Sequence, residues 1–148
     1  MAVRGVNNAI SQIRRLGREA ILQMEAETEA VARGIELQAK NLAPTDLGKL
    51  GQSIRTVKSI KNGSRHNLNW KVVAGGTLAP YAPFVEFGTG AMVSVPEEWK
   101  EIAIKFKGKG IKQVNLPARP YMYPAFKEGE RKYLERLKAI IRRYGSNN

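Results

Sequence analysis

Glu86 is the only carboxylate in YAPFVEFGTG (Tyr81 to Gly90), where it stands among apolar residues just ahead of a glycine-rich turn. An acid so placed can move protons, bind a metal or clamp backbone N–H groups, and the rest of the chain must decide among these. Proton and nucleophile chemistry lack partners. The chain has no cysteine, its one histidine is His66 in the turn sequence KNGSRHN, and no serine stands in a G-x-S-x-G setting. Asp46, Glu86, Glu97, Glu98 and Glu101 show no metal-ligand spacing. The last three read as the first turn of a short helix, where acids suit the dipole. The glycine pairs GTG (Gly88 to Gly90) and GKG (Gly108 to Gly110) lack the lysine–serine context of a phosphate-binding loop. Glu86 is therefore expected to accept hydrogen bonds from the backbone of the turn that follows it, or to sit at a contact between subunits.

Charge points outward rather than to catalysis. The net charge is +12 over 148 residues, yet residues 1–40 hold six basic and five acidic residues, a net of +1, which leaves +11 for the remainder. Such an excess attracts a phosphate backbone or an acidic protein surface. Lys105, Lys107, Lys109 and Lys112 gather in a basic tip expected to meet a partner or DNA. On the last helix, Arg131, Lys132, Arg136 and Lys138 could follow a phosphate backbone, while Glu128, Glu130 and Glu135 interleave with them, as on a solvated surface. No apolar run approaches the roughly 20 residues needed to cross a bilayer, and the N-terminal stretch lacks a secretory h-region, so synthesis in the cytoplasm is expected.

The elements that position these residues follow from periodicity. From Asn8 to Leu42, apolar residues recur every three or four positions (Ile10, Ile13, Leu16, Ala20, Ile21, Met24, Thr28, Val31, Ile35, Ala39, Leu42), which predicts one long amphipathic helix stopped by Pro44. At 1.5 Å per residue it would reach roughly 50 Å, more than its own core needs. A turn at residues 44–53 and two strands follow, one carrying Ile54, Val57 and Ile60, the other Leu68, Trp70 and Val72, joined at Asn62-Gly63. YAPFVEFG reads as a third strand, with Pro83 putting it at a sheet edge. Residues 91–116 form a loop-rich insertion with a short helix in SVPEEWKEIAIKF. Residues 117–144 give an extended, proline-paced segment and a last helix with Pro124 in its first position. Phe126, Tyr133, Leu134, Leu137, Ile140, Ile141 and Tyr144 fall on one side of that helix. The expected class is α+β, two helices on a small antiparallel sheet, organised as one domain.

Three motifs in order, AKNLAPTDLGKLGQSI, YAPFVEFGTG and ARPYMYPAF, resemble the neck and tail-completion family of long-tailed bacteriophages, the small proteins that join head to tail. The similarity spans roughly residues 35–130. Pro44, Asp46, Gly48, Leu50, Ser53 and Ile54 fit the first motif. Tyr81, Ala82, Val85, Glu86, Gly88 and Thr89 fit the second, and Ala118, Pro120, Pro124 and Ala125 the third. Leu47 departs where the family often has threonine, Tyr121 replaces phenylalanine, and the insertion is longer and more basic. The resemblance implies a structural virion protein without cofactor or enzymatic activity, a hexameric ring between head-closure or connector proteins and the tail, with the genome passing nearby. A tail-terminator position and a stand-alone basic nucleic-acid-binding protein are the alternatives.

Overall fold

The structure, a computed structural model, describes residues 17–59, 68–104 and 115–146. The expected start of the first helix, the Asn62-Gly63 turn, Ile60, His66 and the lysines of the basic tip lie outside the described residues.

Helix α1 spans Arg18–Leu42. Gly17 has φ +95°, off the helical region, and α1 begins directly after it. Its buried positions, Ala20, Met24, Thr28, Ala32, Ile35 and Ala39, recur every three or four residues as the sequence pattern requires. At the C-terminal end the seam shifts. Leu42 is exposed and Ala43, with its N–H on the carbonyl of Ala39, is buried in its place. The stretch expected as a plain turn contains a short helix α2 (Gly48–Ser53). Strands β1 (Arg55–Lys58) and β2 (Trp70–Val73) pair in a two-stranded antiparallel sheet, with Ser59 N–H donating to the Asn69 carbonyl. Val57 faces solvent rather than the core, because Thr56 takes the inward place. Its N–H donates to Glu36 Oε2 at 2.7 Å and its hydroxyl to the Ala32 carbonyl at 3.3 Å.

The expected third strand is instead helix α3 (Ala82–Phe87). A short apolar run reads equally as strand or helix, and Pro83 decides for helix: in the first turn its missing N–H has no partner to lose. Ala82 and Glu86 are buried while Phe84 between them is only half-buried, and the neighbours Glu86 and Phe87 are buried together, neither of which alternation would give. Two 3₁₀ turns (Gly90–Met92 and Glu97–Trp99) lead into α4 (Lys100–Ile104), and α5 runs over Met122–Gly145. Pro124 is the third residue of α5, still within the turn where no N–H is required. The class is α+β, as the pattern predicts.

Two compact units divide these elements. One gathers α1 through Leu37, residues 56–72 and α5 from Phe126; the other gathers Gln38–Arg55 and Val73–Ala125. The first unit is a helix pair. Ala20, Met24, Tyr133, Leu137 and Ile140 form its apolar centre, flanked by Ile21, Val31, Leu68, Ile141 and Tyr144. Each large side chain buried there contributes about 1.5–3 kcal/mol relative to exposure. Thr28 spends its one hydroxyl proton on the Met24 carbonyl at 2.6 Å, so Tyr133 is the donor in the 2.8 Å hydroxyl pair with Thr28. Gly129 is buried where a Cβ would run into the side chain of Ile35. The second unit is built from short helices and loops around Leu50, Ile54, Ala79, Ala82, Phe87, Trp99, Tyr121 and Ala125.

Candidate functional site

The first two motifs, and the third as far as Ala125, fall within the second unit, which brings them together. In the first motif, the chain leaves α1 through a turn in which Leu47 N–H donates to the Pro44 carbonyl. Leu47 then caps α2 without a side-chain bond, since leucine offers no oxygen where threonine could serve. Leu50 and Ile54 are fully buried. The Ser53 hydroxyl donates to the Leu50 carbonyl at 2.7 Å and accepts from Gly75 N–H at 2.9 Å, tying this motif to the loop after β2. Gly48 opens α2 at an exposed position.

The second and third motifs meet at Glu86, which is 4% exposed. Its Oε2 accepts from the N–H groups of Tyr121 (2.8 Å) and Met122 (2.9 Å), and its Oε1 from Tyr123 N–H (2.9 Å). The expectation of a backbone clamp is right in kind and wrong in donor, because the N–H groups lie some 35 residues further along and not in the turn that follows. The physical reason is the start of α5. A helix leaves its first N–H groups without intrahelical partners and places partial positive charge there. Met122 and Tyr123 give theirs to Glu86, and Pro124 has none to give. One buried carboxylate thus completes the end of a 24-residue helix with charge-assisted bonds.

Around this clamp the backbones are locked together. Arg119 N–H donates to the Val85 carbonyl at 2.8 Å, and Thr89 N–H to the Leu116 carbonyl at 2.9 Å. Leu116 N–H returns to Thr89 Oγ1 at 2.9 Å. Gly88 lies between the strips with φ +76° and ψ −176°, and a Cβ there would fall 2.6 Å from the Met92 carbonyl oxygen and 2.8 Å from both Leu116 O and Ala118 N. Only glycine fits. The Tyr121 ring is buried under α3, and burial, with the Glu86 charge beside it and Tyr81 nearby, pushes its phenol well above the ordinary tyrosine range. Phe87, Trp99 and Tyr123 add an edge-to-face aromatic series with centroids 6.2 and 5.2 Å apart.

Other sequence candidates play smaller parts. Asp46 stands 4.0 Å from Arg119, both largely exposed, a pair worth under about 1 kcal/mol. Pro120 is exposed just ahead of the three donors. Sequence reasoning missed Ser53 with Gly75, Thr28 with Tyr133, and Gly129. A threonine at a buried position of the α1 repeat was the available signal for the hydroxyl pair. Among the described residues, no group of three or more His, Cys, Asp or Glu is placed to hold a metal ion.

Every contact converging on Glu86 fixes one stretch of chain to another. Residues 8–88 match the family described as "Bacteriophage HK97-gp10, putative tail-component". The match covers more than half of the chain, which belongs to this family of bacteriophage tail components. No curated protein and no solved structure matches it.

Proposed function

We propose that this tail component works at the head-to-tail joint, as a neck or tail-completion ring that connects the closed head to the tail, with the whole chain acting as one joining module. The observation that carries this reading is the junction at Glu86, where the second and third motifs of the neck and tail-completion pattern are bonded to each other, with the first motif in the same unit. A joint under load needs loops of fixed shape, and three charge-assisted bonds from one carboxylate to a helix start provide that. Large apolar side chains left exposed in both units, among them Leu22 and Leu37 on α1 and Met92, Val93 and Leu116 beside the junction, suit contacts with neighbouring subunits in a closed ring such as a hexamer, and with head-closure and tail proteins. Residues 82–87, expected as an edge strand, form helix α3, so it is this exposed apolar surface that supports contacts with neighbouring subunits.

The test is to disrupt the gene in the phage that carries it and image the lysate by electron microscopy. DNA-filled heads beside free tails of normal length support the joining role. Tails of abnormal length would move the protein to the terminator position, and intact infectious particles would remove both.

A further inference from the structure

We infer that the last two turns of α5 bind the phosphate backbone of duplex DNA through Lys138, Arg142 and Arg143. Charge along α5 is unevenly compensated. In its first half every cation is answered: Lys127 by Glu130 at 3.1 Å, Arg131 by Glu128 at 2.8 Å and Glu135 at 3.0 Å, and Lys132 by Glu128 at 3.3 Å. Arg136 reaches Glu27 of α1 at 2.7 Å. Beyond Glu135 the helix has no carboxylate, and Lys138, Arg142 and Arg143 are exposed with no ion pair among the described residues. The α1 residues that share its apolar cluster near this end, Ala20, Ile21 and Met24, are uncharged, as is Gln23, which bonds to Tyr144. Gln23 accepts from the Tyr144 hydroxyl, and Arg143 lies 5.7 Å from the Tyr144 ring.

The choice of phosphate over an acidic protein rests on what the patch lacks. Protein interfaces centre on buried aromatic and aliphatic anchors, with charge at the rim. None of the exposed large hydrophobic side chains lies on α5. A surface of charge alone suits a uniform polyanion, which gives its binding energy through counterion release and needs no apolar socket. Lys138 and Arg142, four apart on one face, stand about 6 Å apart along the axis and can follow successive phosphates. The helix dipole also favours cations here, which stabilises them in place without neutralising them. The inference does not depend on where in the virion the protein sits. Particles that assemble normally without the gene would sink the joining role and leave this binding standing.

The experiment measures binding of the full-length protein to a short mixed-sequence duplex by fluorescence anisotropy over a salt series. The variant K138Q/R142Q/R143Q should lose at least about tenfold in affinity at low salt, and the slope of log K against log salt should fall by about 2 to 3, near 0.9 per phosphate contact. Lys132→Gln, which removes a cation already held by Glu128, should change affinity less than about twofold on the same counterion argument. Circular dichroism checks that helix content is kept. If the triple variant does not fold, Lys138→Gln and Arg142→Gln are measured singly, each expected to remove about one unit of slope. Absence of wild-type binding at low salt, an equal loss in Lys132→Gln, or displacement of the duplex by polyglutamate as readily as by unlabelled DNA would each overturn the inference, the last in favour of an acidic protein.

Discussion

In the helix-pair unit the inner polar contact is between side chains, Tyr133 donating to Thr28 across an apolar seam, whereas in the loop-rich unit a side chain holds backbone, Glu86 accepting three N–H groups at the start of α5. Among the described residues, each unit also contains one glycine where a Cβ would fall within 3.0 Å of another atom. Gly129 makes room for the side chain of Ile35, and Gly88 makes room for carbonyl and amide atoms. A side chain can change rotamer when its neighbour grows. Backbone held by its own hydrogen bonds cannot, so substitutions of equal size should cost far more in the second unit.

Placing alanine at each glycine gives the sharpest break. Gly88→Ala combines a φ of +76° with ψ near 180°, a region nearly confined to glycine, with a 2.6 Å approach to the Met92 carbonyl. The expected loss is about 4 kcal/mol or more, read as a collapse of soluble yield or of the denaturation midpoint, since backbone strain of about 1–3 kcal/mol adds to the displaced loop. Gly129→Ala should cost only about 1–2 kcal/mol, because overpacking against Ile35 is partly offset by better helix propensity. Pairing it with Ile35→Ala should recover some of the loss as a coupling of about 1 kcal/mol. Similar losses at the two glycines would remove the distinction between the units.

Glu86→Gln comes next. The amide keeps the shape but loses the charge and turns a donor toward N–H groups, so about 2–4 kcal/mol should be lost, in line with hydrogen bonds to charged groups and a helix end left unanswered. The readout that separates a clamp from ordinary packing is amide hydrogen exchange. Tyr121, Met122 and Tyr123 should lose protection first, while Tyr133 and Leu137 amides stay protected. Uniform loss across both units would mean that Glu86 acts only through global stability.

What was legible in the sequence divides along the same line. The helices of the first unit could be read because side chains on a helix repeat every three or four residues, and Met24, Ile35, Leu137 and Ile140 obey that rule. The second unit is set by where backbone N–H groups find acceptors, which leaves no periodic trace. Glu86 could be picked out as an acid among apolar residues, but nothing in local spacing said that its donors lay at residues 121–123. The ordered motifs contained that pairing without naming it. Pro83 was visible and misread, because a proline marks both a strand edge and a helix first turn, and only the burial of the adjacent Glu86 and Phe87 with Phe84 half-buried separates them. Thr56 misled in the opposite direction, its hydrogen bonds to Glu36 and Ala32 reversing the face that Val57 suggested.

The hydroxyl pair of the first unit should give intermediate effects of unequal size. Tyr133→Phe removes the donor and leaves Thr28 still bonded to the Met24 carbonyl, so about 1 kcal/mol is expected. Thr28→Val instead leaves the Tyr133 hydroxyl buried without its acceptor, at about 1–3 kcal/mol. If Tyr133→Phe proved the costlier change, the assignment of donor and acceptor would be reversed.

Alkaline pH gives the smallest effect and touches both units at once, because each buries one tyrosine whose phenol is pushed up, Tyr121 by burial and the Glu86 charge and Tyr133 by burial. Below pH 10 the phenol is protonated in folded and unfolded chains alike, and its full stabilising share is present. Above that, the unfolded chain gives up its phenolic protons first, so it binds fewer protons than the folded chain and stability falls as pH rises. Near pH 10.5 the loss should stay below about 1 kcal/mol for each tyrosine, seen as a lower denaturation midpoint than at pH 9. Tyr121→Phe and Tyr133→Phe should each flatten the part of the slope that belongs to its own unit, and the steeper part should belong to Tyr121, where a buried carboxylate repels the phenolate. A slope untouched by either substitution would assign the alkaline loss to the lysines and separate the phenols from the stability of both units.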